Sequence, residues 1–399
     1  MKGKNTLCIH HILFFGIAFT LLMAFSACKN DPKTTAQTPI TGNNVYIRLP
    51  AEPPSLNLLT TENGASIQIG NQIFQSLLDF DPKTLELTPV LAKARPTVTK
   101  IDTGRLKGGT AYTYEIRDEA TWPSGAPVTA ADVVFTVKVV LNKKSGTSNM
   151  RTSIDFVKDI TIDAANPKKF SVLTDKRFIL AETNFGMLPI FSEKTGDTEG
   201  VLKNISVADL AKALKDSTVK LDAAALAAFG TRFQQPKFSR EPAGIVGSGP
   251  YELAEWNSAD RLVLKKKNNW WGDKLAASTP ILTALPDQIF FKFIADEAAN
   301  LALVKDGQLD VSARLVASQF VEMQKDPKMR TIYNFATPPA NNLAYIGVNC
   351  KDPKLNDRRT RRAIAHLFNV NDLIKSIMGG LLNLARRRFY RQNHTMMRR

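Results

Sequence analysis

The spacing of apolar and polar residues divides the chain into short strands and helices. VYIRL at 45–49 reads as a strand. Residues 65–78 place Ile69, Ile73, Phe74, Leu77 and Leu78 at helical intervals. TAYTYEIR at 110–117 alternates as a strand does, and KGG at 107–109 belongs to the turn from a preceding partner. Residues 154–163 and 168–174 form a predicted strand pair around an ANPKK turn. Residues 207–228 favour helix, with a break near Asp216–Thr218. YELAEW and RLVLKKK are hairpin strands around NSAD. PDQIFFKFI at 286–294 is a strand with Ile289, Phe291 and Phe293 on one side. A helix ending near Gly307 follows, and QLDVSAR begins another strand, which makes a β-α-β unit. NNLAYIGVN at 341–349 is a further strand. A helix then starts near Asn356 or Asp357, with Ala363, Ile364, Leu367 and Phe368 on its apolar side and Arg361 spaced to pair with Asp357.

Glycine, proline and capping residues punctuate this pattern. PAEPPSLN at 50–57 holds three prolines in five residues, which forbids a helix and stiffens an extended loop. Gly125 and Pro127 mark a tight turn before a helix that Thr129 caps and Ala130 begins. Asp132 stands at the third helical position, a capping box with Asp in place of Glu, and Val133, Val134, Val137 and Val140 form the stripe to be buried. That spacing accounts for Asp132 as a helix-start residue rather than a catalytic one.

A chain of 399 residues is too long for one ordinary core and implies two or three lobes. Cys8, Cys28 and Cys350 are too few and too scattered for a disulfide framework or metal cluster, and no cofactor is implied. The net charge of +16 suggests nucleic acid or an anionic surface until it is located. Two of those charges are Lys2 and Lys4, six are arginines at 386, 387, 388, 391, 398 and 399, and the remaining eight spread over more than three hundred residues. The body therefore has an ordinary basic surface, with no nucleic-acid partner expected.

The first 27 residues run from a basic end through an apolar centre at 12–27 to Ser26 and Ala27, the order of a secretory signal. The apolar run is shorter than the roughly 20 residues that cross a bilayer comfortably. Cys28 directly after the small pair resembles a bacterial lipobox, with Phe25 where Leu is usual. That resemblance implies an acylated Cys28 as mature N-terminus, followed by a flexible tether over 28–44. The body would then lie in the cell envelope, facing the periplasm or the exterior. Lys29 does not supply the Asp that favours inner-membrane retention in some bacteria, which leans toward the outer membrane.

Signals for enzymology are missing: no GxSxG, HExxH or helix-opening GxGxxG occurs. Asp296 and Glu297 sit at a helix start, where the dipole welcomes acids, and Cys350 has no near histidine. Five stretches instead resemble one family, the extracytoplasmic solute-binding proteins of ABC importers, family 5, the oligopeptide and dipeptide type. They are PAEPPSLN with IFQSLLDFDPKTLELTPVLA; YTYEIRDEATWPSGAPVTAADVVFTV; GSGPYELAEW with NNWWGD; ADEAANLALVKDGQLDV; and LAYIGVNCKDPKLNDRRTRRAIAHLFNVNDLI. They follow the family's order from residue 45 to about 380.

The resemblance implies an α/β fold of the periplasmic-binding-protein type II, with two lobes around a cleft and a small inserted domain. Carried over, residues 45–60 and 175–275 form lobe I, 61–174 the inserted domain and 276–385 part of lobe II, with a basic tail at 386–399. PSLN would lie near the hinge, and Arg361 matches the family's Arg before Ala. The implied function is capture of a small peptide or other solute for an ABC permease, without chemistry. A nickel complex or sugar is the alternative ligand, and a degenerate lipoprotein with no ligand is a further one. Ser55, Asn57, Asn341, Asn342 and Tyr345 are candidates to line the cleft, with strand capping and packing as the other reading for the last three. The likeness stops near 381–384, where the family continues for more than a hundred residues, so a truncated or frameshifted reading is expected. A tail binding DNA or acidic lipid is the other reading.

Overall fold

The computed structural model describes residues 42–313, 315–337 and 345–378. Ten strands are assigned among them: β1 (Asn44–Leu49), β2 (Leu78–Phe80), β3 (Leu87–Pro89), β4 (Thr97–Lys100), β5 (Thr110–Glu115), β6 (Val157–Ile162), β7 (Lys169–Thr174), β8 (Tyr251–Asn257), β9 (Arg261–Lys266) and β10 (Gln288–Phe293). One four-stranded sheet has the order β1-β10-β9-β8, a second β4-β5-β7-β6, and β2 with β3 forms a separate pair. The fold is mixed α/β, with two distinct lobes marked by two hydrophobic cores.

The helix read over 65–78 spans Gly64–Ile73, capped by Asn63, whose side chain accepts from the N–H of Ala65 and Ser66. It stops early for a tertiary reason. The N–H of Gly249 donates to the Ile73 carbonyl at 2.8 Å, and a Cβ at Gly247 or Gly249 would collide with that carbonyl. The helix end is thus closed by the GSGP segment, and the chain turns into β2. The Thr129 helix covers Ala130–Leu141, but its buried face is wider than the valine stripe: Phe135, Thr136, Lys138, Val139 and Leu141 are also enclosed. Residues 207–228 split as expected, into Val207–Ala213 and Ala223–Phe233.

The 61–174 segment contains the whole β4-β5-β7-β6 sheet, yet its core runs without a break into that of the first sheet. The lobe border expected at 276 falls inside the first sheet, because β10 pairs antiparallel with β9 from Gln288 to Lys292. The strand read after Gly307 is reduced to one parallel bridge, Ile47 to Val311. The strand read at 341–349 is absent where it is described, from Tyr345 to Asn349. Tyr345 and Ile346 are exposed there, with no neighbouring strand among the described residues to take the backbone bonds. Asp357 does cap the helix Arg358–His366. Arg361 bonds the carbonyls of Leu355 and Asn356 instead of pairing with Asp357, which meets Arg359 at 3.6 Å.

Candidate functional site

The three prolines of PAEPPSLN hold residues 50–57 out of helix, and Glu52 pins the loop to the β8–β9 hairpin. One Glu52 oxygen accepts from the Trp256 indole at 2.8 Å and from Arg240; the other accepts from the Ala259 N–H at 2.9 Å. Arg240 also lies 4.4 Å above the Trp256 ring. Burial pushes the Glu52 carboxyl up, but the Ala259 N–H, the indole and Arg240 outweigh it and hold the group below its usual range.

Ser55 and Asn57 shape the end of the loop. The Ser55 hydroxyl accepts from the Asn57 N–H at 3.0 Å. Asn57 is 1% exposed; its amide oxygen accepts from the Leu59 N–H at 3.2 Å, and its nitrogen donates to the Phe233 carbonyl at 3.5 Å. These bonds deliver Leu59, Thr60, Thr61 and Glu62 to one wall of a cavity of about 170 Å³. The other wall is Gly146, Asn149, Met150 and Ser153. The volume is that of about five or six waters, the scale of a side chain rather than a whole ligand. Hydroxyls, an amide and a carboxylate on an apolar base can bind a polar end group, but no nucleophile–base pair stands there.

A larger, open concavity of about 680 Å³ is lined by Gln324, Lys325, Arg330, Tyr333, Asn334 and Phe335. Its floor is firm. The Tyr333 hydroxyl sits 2.9 Å from both the Val304 and Leu309 carbonyls, burial pushes its pKa up, and Phe335 meets Phe320 edge-on at 5.5 Å.

Between β1 and the helix Glu297–Lys305 lies a buried charge. The Arg48 side chain is fully enclosed, donating from Nε to the Ile294 carbonyl at 3.0 Å and from Nη2 to Glu297 at 2.6 Å. Asp296, read as a helix-start acid, caps that helix through the Ala299 N–H at 2.7 Å. Asp132 likewise serves structure. Its carboxylate accepts from Thr129 N–H, the Trp122 indole and the Glu193 N–H, at 2.9, 3.2 and 3.0 Å. Burial raises its pKa against those bonds. No group of three or more His, Cys, Asp or Glu side chains is placed to hold a metal among the described residues.

Of the residues singled out in the sequence, Ser55 and Asn57 are joined to each other and lead to the smaller cavity. Tyr345 is 80% exposed. Cys28, Asn341 and Asn342 lie outside the described residues. Sequence reasoning missed Glu52 and Arg48. An acid between prolines and an arginine inside a strand carry no sign of their partners, which come from more than 180 residues away.

The sequence profile of bacterial extracellular solute-binding proteins, family 5, matches residues 86–387. The chain belongs to that family. It is 24% identical over 374 residues to the peptide transport periplasmic protein SapA of Salmonella typhimurium, covering 92% of this chain and 60% of that protein. The oligopeptide-binding protein of Thermus thermophilus, solved with a pentapeptide, superposes with a TM-score of 0.58 at 21% identity, over 86% of this chain and 58% of the other. NikZ of Campylobacter jejuni, solved with Ni(L-His), gives 0.57 at 18% identity, over 86% and 56%. The chain thus spans under two thirds of the length of these relatives, and the structural likenesses speak for the fold.

Proposed function

We propose that this chain is the capture component of an ABC import system, binding a small peptide in a cleft and presenting it unchanged to a permease. The observation that carries this reading is the family-5 match across 86–387, on a fold shared with peptide-bound relatives. Closure of lobes on a hinge is the way such a protein couples binding to docking. Peptide backbones offer hydrogen bonds that need no side-chain choice. Ser55 and Asn57 act here by positioning the Leu59–Glu62 wall, and Asn341, Asn342 and Tyr345 are the further candidates to line the cleft. Cys28 carries an acyl anchor, so the body works at a membrane outside the cytoplasm, and Lys29 after it favours the outer membrane.

A second reading, a metal–amino-acid complex as ligand, is favoured by the likeness to NikZ. Titration calorimetry against a tripeptide library and against nickel–histidine separates the two. Heat with tripeptides, and recovery of the peptide intact by mass spectrometry, is expected. Heat only with the nickel complex replaces the peptide reading, and cleaved peptide ends the claim of capture without chemistry. Mass spectrometry of the mature N-terminus checks the anchor; an unmodified Met1 would overturn it.

A further inference from the structure

Beyond ligand capture, the end of one sheet carries a surface with its own chemistry. Lys100, Thr110, Thr174 and Val157 form one row across β4, β5, β7 and β6, so the segments after Lys100 and after Thr174 leave from the same end. After Thr174 the chain reads DKRFIL. Ile179 is 91% exposed, the highest value among the large apolar side chains described, and Leu180 beside it is 50% exposed.

The exposure is built in. The Thr174 hydroxyl lies 2.9 Å from the Lys176 carbonyl, Phe178 packs inward on Phe156 at 5.0 Å, and its carbonyl accepts from the Tyr112 hydroxyl at 3.3 Å. With Phe178 anchored, the next two side chains are held outward. Lys100, Lys107, Lys176 and Arg177 at this end make no ion pair among the described residues, against two such acids, Asp102 and Asp155.

We propose that this tip docks on an anionic lipid surface, with Ile179 and Leu180 entering the acyl boundary and Lys176 and Arg177 meeting the headgroup phosphates. Apolar side chains flanked by cations suit a charged interface. A protein partner is disfavoured by size, because two side chains fall far short of the roughly 800 Å² per partner that a stable protein interface buries. The proposal does not depend on the identity of the captured solute.

The test uses the full chain with Cys8, Cys28 and Cys350 replaced by Ser and an environment-sensitive nitrobenzoxadiazole dye on Ile179→Cys. A dye on Ala224→Cys, an exposed helix position, is the control. Because Lys2, Lys4 and the arginines after 385 can also bring the chain to anionic vesicles, the local signal is the readout. A blue shift at 179 but not at 224 is expected on phosphatidylglycerol vesicles and not on phosphatidylcholine. Adding Lys176→Glu and Arg177→Glu should weaken it about tenfold or more, with the circular-dichroism melt unchanged. Equal shifts at both positions, no shift at 179 on vesicle-bound chain, or a shift only when a permease is in the vesicle would each overturn the proposal.

Discussion

The two cores differ in how completely their apolar faces are matched. In the first, rings interlock: Phe229 stacks on Phe233 at 5.7 Å, Phe191 tilts against Phe233 at 6.1 Å, and Phe135 meets Phe229 edge-on at 6.3 Å. The second has four fully buried residues, Val304, Leu309, Met323 and Met329. Beyond it, the helix Arg358–His366 buries none of its residues, although its polar and apolar sides are as distinct as those of any helix in the first core. Amphipathic spacing makes a helix able to pack; only a facing surface makes it stable. Local opening should therefore be far easier across 297–313, 315–337 and 345–378 than across 45–293.

The sharpest way to break that contrast is a cavity in each core. Phe229 is wholly enclosed between other rings, so Phe229→Ala should cost about 3–5 kcal/mol by denaturant unfolding. Met323→Ala should show a smaller loss, confined in hydrogen exchange to the second core. Equal effects would mean that the two cores melt as one.

Next in size is the link between them. Glu297→Ala leaves Arg48 charged, enclosed and without its acid, a loss of about 3 kcal/mol. Arg48→Met with Glu297→Gln removes both charges and should recover most of it. Failure to recover would make the pair something other than a buried charge and its partner.

A pH-dependent effect of similar size belongs to the first region alone. Lys267 donates to the Gly247 and Gly249 carbonyls, both at 2.6 Å, and burial pulls its amine down to about 8. Between about 8 and the ordinary lysine value of 10.5 the folded chain has released this proton while the unfolded chain keeps it. Stability from this group therefore rises across that window, by on the order of 3 kcal/mol. Its cost is fully present below about pH 8. Lys267→Met should flatten the slope in a pH series of urea melts, whatever it does to absolute stability.

The parts legible in the sequence were those that local chemistry decides. Thr129 with Asp132, Asp357 before its helix, and the strand pair around ANPKK were found in place because caps, turns and alternation act within a few residues. What stayed hidden depends on distant partners. Phe74, Leu77 and Leu78 keep helical spacing, yet the Gly249 N–H takes the carbonyl that ends the helix at Ile73. Tyr345–Asn349 has strand composition and no strand beside it among the described residues. At the site, PSLN was legible as a rigid loop through its prolines. That Asn57 would spend its amide on Leu59 and Phe233 was not, because Phe233 lies 176 residues away.

The smallest expected effect tests the contrast most directly. Leu367 is 82% exposed and Leu373 50%, so replacing either with Ser removes little burial, and the unfolding free energy should move by no more than about 0.5 kcal/mol. Phe233→Ala, at 1% exposure, is the matched control and should cost several-fold more. The comparison belongs on the free chain and again with a saturating ligand. A loss above about 1.5 kcal/mol for Leu367→Ser in the free chain would mean that this face is covered in solution, and the difference between the cores would then lie in what covers them rather than in how they pack. A loss that appears only with ligand would place the face among the surfaces that closure brings together.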